Sequence, residues 1–148
     1  MSYPASLAFL YSLQQHGIKL GLDSIMALLA SLGNPQDRYR AIHIGGTNGK
    51  GSAIAPAASV LQAAGYRVGL YTSPHLVDFR ERIRINGDSI SEDSVARLTE
   101  HLRHAMGETA SPTFFEFTTA LAFPHFAESE SEVAVIEVGM GGRFDATN

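Results

Sequence analysis

No cysteine occurs anywhere in the 148 residues. That absence removes a disulfide framework, a thiolate metal site and a cysteine nucleophile, and it fits a reducing compartment. A surplus of positive charge is also missing: eleven Lys and Arg against fifteen Asp and Glu leave a net charge of -4. The basic residues are scattered, so no field exists for gripping a phosphate backbone, and nucleic acid is not an expected partner. No apolar run approaches the ~18 residues of a membrane helix. The opening MSYPASLAFLYSLQQHG lacks the basic start and uninterrupted apolar stretch of a signal peptide. Together these absences predict a cytoplasmic chain with no membrane association. Internal repeats, low-complexity tracts and linkers are absent too.

What is present is a chain with 45% hydrophobic residues, enough to build one domain or part of one. Leu7, Leu10, Tyr11 and Leu13 recur at helical spacing, as do Ile25, Leu28, Leu29 and Leu32, with Gly17 and Gly33 placed as C-terminal caps. Arg40 to Ile44 reads as a strand, followed by a glycine-rich turn, an Ala-rich helix running to Gly65, and a second strand over Val68 to Thr72. That βαβ order predicts parallel strands. Arg82 to Ile90 alternates around Asn86-Gly87, a strong turn dipeptide, and suggests a hairpin. Val95, Leu98, Leu102 and Ala105 mark a further helix, Thr113 to Ala127 another. Val133 to Val138 is a β-branched run suited to a strand buried on both faces. Pro56 and Pro124 fall inside two of these helices, where each removes an amide donor, so a kink or interruption is expected at both. The element order predicts an α/β, three-layer P-loop fold with a mainly parallel sheet flanked by helices.

The strongest chemical signal is Gly46-Thr47-Asn48-Gly49-Lys50-Gly51-Ser52, set between a predicted strand and a predicted helix. Glycines there let successive amides turn toward one anion, the helix N-terminus adds positive potential, and Lys50 can bridge the terminal phosphates of a nucleotide. The common pattern GxxxxGK[ST] is not met, because Ile44 stands six before Lys50 and Gly51 directly follows it. A dinucleotide site is the rival, but GGTNGKG is not G-x-G-x-x-G, and the second strand ends in Tyr71-Thr72-Ser73 without an acid for a ribose. Glu137, a carboxylate inside the apolar run VAVIEVG, needs a partner such as a metal, since an unpaired buried charge is costly.

GTNGKGS resembles the phosphate loop of the Mur ligase superfamily. The segments KLGLDSI, GYRVGLYTSPHLVDFRERIRING, TFFEFTTALAF and IEVGMGGRFDATN narrow the resemblance to folylpolyglutamate and dihydrofolate synthases over residues 18 to 148. The resemblance implies the N-terminal part of a Mur-type ATP-binding domain, incomplete, with the C-terminal glutamate-ligase domain lying outside the chain. The implied reaction is phosphorylation by ATP of the carboxylate of a pteroate or folate, followed by attack of the amine of L-glutamate. The chain alone is expected to be inactive, and to self-associate through an uncovered sheet face or edge.

The chemistry needs a divalent cation between a carboxylate and a triphosphate, so hard oxygen ligands are expected. By the resemblance, Ser73 and Glu137 bind magnesium, and a histidine ligand comes from sequence beyond residue 148. Substrate contacts are implied for Lys19, Gly21 and the leucines Leu20 and Leu22, for Thr113, Phe114, Phe115 and Glu116, and for Phe144, Asp145 and Ala146. Phe114 and Phe115 either stack on a flat bicyclic ring, with Glu116 accepting from its amino group, or are plain helix core. His75, in a loop resembling the family's substrate loop, reads as a positioning residue. Arg80, Glu81, Arg82 and Arg84 read as a solvated strand face, of which one side chain could reach ligand.

Overall fold

Parallel strands need crossover connections, and the chain supplies them around one five-stranded sheet in the order β1-β5-β2-β3-β4. The strands are β1 (Arg40–Ile44), β2 (Val68–Tyr71), β3 (Ile83–Ile85), β4 (Asp88–Ser89) and β5 (Val133–Glu137). The helices are α1 (Tyr3–Ser12), α2 (Asp23–Ser31), α3 (Lys50–Ala63), α4 (Glu92–Met106) and α5 (Phe114–Glu128). This computed structural model describes residues 1–16, 23–45, 50–107, 112–137 and 146–147, with the backbone alone at 16 and 50–52. The expected cap at Gly17 and the end of the last strand at Val138 lie outside the described residues.

β5 pairs in parallel with β1 on one side and β2 on the other, and every one of its residues is buried. The β-branched run therefore occupies the centre of the sheet, as its composition requires. The two strands of the βαβ unit are parallel but not adjacent, because β5 lies between them. β3 and β4 form the antiparallel hairpin. Asn86 and Gly87 both take positive φ, at 47° and 87°, as a two-residue hairpin turn demands. The Asn86 side chain also accepts from the Val68 amide at 2.8 Å, tying the turn to the start of β2.

Side chains alternate across the sheet and divide the interior in two. On one face Tyr71, Ile83, Ile85, Ala134 and Ile136 pack with α1, α2, α4 and α5. On the other, Val68, Val133 and Val135 meet Ile54 of α3, with Leu70 and Ile44 alongside. Gly69 faces the thick side, where a Cβ would lie 2.7 Å from the ring of Phe126. Glycine is required at that position by close approach rather than by its turn-forming freedom.

Three expectations change. Both prolines are accommodated within uninterrupted helices, α3 through Pro56 and α5 through Pro124. Each forfeits one amide donor while the flanking turns still hydrogen-bond and pack against the sheet. Thr113 is not helical but caps α5. Residues Phe79–Arg82 form a 3-10 turn instead of a strand face. One edge of the sheet is β1, which among the described residues pairs only with β5 and leaves Ile42 40% exposed. No helix among the described residues is long and apolar enough to cross a membrane.

Candidate nucleotide and carboxylate site

Three parallel strands end at one crest. Ile44 of β1 is in register with Glu137 of β5, and Ile136 with Tyr71 of β2, so the carboxyl ends of β1, β5 and β2 open on the same edge. That edge of a parallel α/β sheet is where ligands gather, because the connections leave it toward opposite faces and open a crevice. The chain leaving β1 enters α3 at Lys50, which points the positive end of that helix at the crest. Gly46, Thr47, Asn48 and Gly49 lie outside the described residues, as do the side chains of Lys50 and Ser52 and the surroundings of Gly51.

Alternation along β5 puts Glu137 on the α3 side with Val133 and Val135, where only 6% of it remains exposed. Its Oε2 accepts a hydrogen bond of 2.8 Å from the amide of Ser73, just past the end of β2. Ser73 and Glu137, 64 positions apart, are thus brought together. Among the described residues no group of three or more His, Asp or Glu converges on one point. The buried Glu137 carboxylate supplies hard oxygen of the kind taken by a cation that keeps most of its own water, as magnesium does.

The loop leaving Ser73 is built by its own sequence. Asp78 and Glu81 form a reciprocal capping box around the 3-10 turn. The Glu81 carboxylate accepts from the amides of Leu76, Val77 and Asp78, which hold it well below its ordinary range, with Leu76 leading. Leu76 and Val77 are almost fully exposed at the tip. Arg82 closes the turn and is buried, contrary to the solvated face expected for it. Its Nε donates to His75 Nδ1 at 2.7 Å, and His75 Nε2 lies 3.2 Å from the Tyr11 hydroxyl. A ring whose Nδ1 accepts carries its hydrogen on Nε2 when neutral. Burial, then the Arg82 charge, push the His75 imidazole below its ordinary range. His75 accordingly bridges α1 and the 3-10 turn, which is a positioning arrangement.

Thr113 and Glu116 complete a second capping box at the start of α5. Glu116 Oε1 accepts from the Thr113 amide at 2.9 Å, and the Thr113 hydroxyl accepts from the Glu116 amide at 3.1 Å. The buried Glu116 carboxylate therefore has a structural task to which any ligand contact must be added. Phe114 and Phe115 are only partly buried and split their roles: Phe114 stacks on Tyr11 at 5.9 Å between centroids, and Phe115 on Tyr71 at 6.0 Å. Ala146 is buried against the thick-side core. Phe144, Asp145 and the predicted contacts Lys19, Leu20, Gly21 and Leu22 lie outside the described residues. Sequence placed Arg82 on a solvated face and Tyr11 only in a helical repeat, yet Asp78-x-x-Glu81 is a capping-box signature that announces a turn, and with it the end of any exposed strand.

A comparison against family models finds no match. The chain is 41% identical over 153 residues to the dihydrofolate synthase/folylpolyglutamate synthase of Bacillus subtilis, covering 99% of the chain and 36% of that protein. A solved folylpolyglutamate synthase from Thermotoga maritima is 49% identical with a TM-score of 0.89, over 98% of this chain and 35% of that one. E. coli FolC in complex with DHPP and ADP is 38% identical with a TM-score of 0.90, over 99% of this chain and 35% of that one. The chain thus spans about a third of the length of the relatives it matches. By sequence and by fold it belongs to the folylpolyglutamate synthase and dihydrofolate synthase family, corresponding to the N-terminal part of its members.

Proposed function

We propose that this chain carries the phosphate-binding part of an ATP- and magnesium-dependent ligase that joins L-glutamate to dihydropteroate or folate through an acyl phosphate. The observation that carries the reading is the pairing of buried Glu137 with Ser73 at the crest, beside the start of α3. In this reading the amides of Gly46 to Ser52 and the α3 N-terminus receive the phosphates, and Lys50 bridges the terminal ones. Glu137 and the Ser73 hydroxyl would hold magnesium, which would neutralise charge between the two anions. A substrate carboxylate oxygen bonds to the γ-phosphorus as ADP leaves. The glutamate amine then attacks the acyl carbon, loses a proton and expels phosphate. In this reading the chain's residues bind and orient the nucleotide phosphates and the acid, which is most of what the phosphoryl-transfer step needs from a protein.

The test is titration of the chain with AMPPCP and magnesium by calorimetry or NMR, comparing wild type with Lys50→Ala. Binding by the wild type and a loss of about tenfold or more in the variant are expected, since one charge-assisted contact is removed. Equal binding by both would sink the assignment of the loop.

A further inference from the structure

Arg82 is a buried cation that, among the described residues, has no carboxylate within salt-bridge distance. Only 7% of it is exposed. Among the described residues its guanidinium makes one hydrogen bond, from Nε to the neutral acceptor His75 Nδ1. The same guanidinium lies over the ring of Phe114, 5.1 Å from its centroid. Its backbone carbonyl accepts from the Thr72 amide at 3.0 Å, which fixes the residue beside Ser73. Burial works against its charge, while Tyr71, Tyr11 and, after them, Glu137 favour it. A guanidinium presents five donors in a planar fork that matches a carboxylate. A largely buried guanidinium with one neutral partner among the described residues favours an anion at its remaining donors.

The surroundings narrow the class of anion. Tyr11 and Phe114 stack beside the guanidinium, with Phe79 edge-on to Phe114 at 6.2 Å. Rings flanking a forked cation suit a carboxylate carried on a flat aromatic body better than a bare phosphate.

We infer that Arg82 is the receptor for the substrate carboxylate, holding an aryl or aroyl acid next to the Ser73–Glu137 pair with its body against Tyr11 and Phe114. The inference rests on the ligase reading above and adds the residue that orients the acid. His75 acts through Arg82, and Tyr11 through His75: with Nε engaged by His75, the two terminal amino groups serve the ligand.

The experiment titrates the wild-type chain, Arg82→Met and Arg82→Lys with three probes: pteroate, its neutral carboxamide, and AMPPCP with magnesium. The wild type is expected to bind pteroate at least about tenfold more tightly than the carboxamide, the effect of one bidentate charged contact. Arg82→Met should abolish that preference and leave AMPPCP affinity unchanged, and Arg82→Lys should keep part of it. Should a variant fail to fold, the Arg82 Nε–H signal of the wild type decides, moving with the acid and not with the amide. Acid and amide binding alike, or a preference surviving in Arg82→Met, would overturn the role of Arg82 and leave the ligase reading standing. Weakened AMPPCP with unchanged pteroate would overturn it in favour of a phosphate. AMPPCP binding with no binding of either pteroate probe would overturn the ligase reading and this inference together.

Discussion

The two faces of the sheet are unequally built. One carries four helices and a core with Tyr71, Phe117 and Phe126 fully buried, and the other carries α3 over a small cluster around Ile54 and Val135. Glu137 emerges on the thin face, at the crest where β1, β5 and β2 end. The difference separates two tasks along the same strands. Successive residues of β5 alternate between a core that holds the fold and a surface that ends in a site. Burying an Ile or Phe completely is worth about 1.5–3 kcal/mol, so the thick face dominates stability. A carboxylate at the end of the thin face can then be kept for ligand at little cost to the fold.

The largest break expected in that comparison comes from the thick face. Phe126→Ala removes a fully buried ring and should cost about 3–5 kcal/mol, read as a drop in thermal and denaturant midpoints. Gly69→Ala comes next, because its Cβ would meet the Phe126 ring at 2.7 Å, and a packed ring has nowhere to retreat. We expect about 1–3 kcal/mol of destabilisation there, near 2–4 °C per kcal/mol, and no loss would show that the ring can swing aside. A smaller effect concerns the open flank. Hydrogen exchange should be slow throughout β5 and faster on β1, and sedimentation should reveal concentration-dependent association that Ile42→Lys suppresses, since a lysine blunts an edge strand. The smallest effect on stability belongs to Glu137→Gln, at under about 1 kcal/mol, because the amide oxygen can still accept from Ser73. That variant should nevertheless lose magnesium-dependent AMPPCP binding, and retention of it would make Glu137 a structural acid.

Much of this architecture was legible in local patterns. The apolar periods of α2 and α4, the Asn86-Gly87 hairpin and the β-branched β5 all follow from short-range rules, and all are where those rules place them. The strand and helix that flank the glycine-rich segment were equally legible, with β1 ending at Ile44 and α3 beginning at Lys50. Less was legible at Pro56 and Pro124. Local energetics there predicted a kink or an interruption, and neither helix is interrupted; in α5 the burial of nearly every surrounding residue outweighs one missing donor.

By itself, then, the sequence determined what depends on neighbours along the chain: the α/β order, the family, the hairpin at Asn86-Gly87 and the β-branched central strand. Only the tertiary structure decided what depends on neighbours across it. Insertion of β5 between β1 and β2 sets Glu137 against Ser73, 64 positions away. Closure of α1 over the 3-10 turn converts Arg82 from an apparent surface charge into a buried one flanked by His75, Tyr11 and Phe114. No local pattern announces such a residue, because its burial is a property of the elements packed around it and not of its own segment.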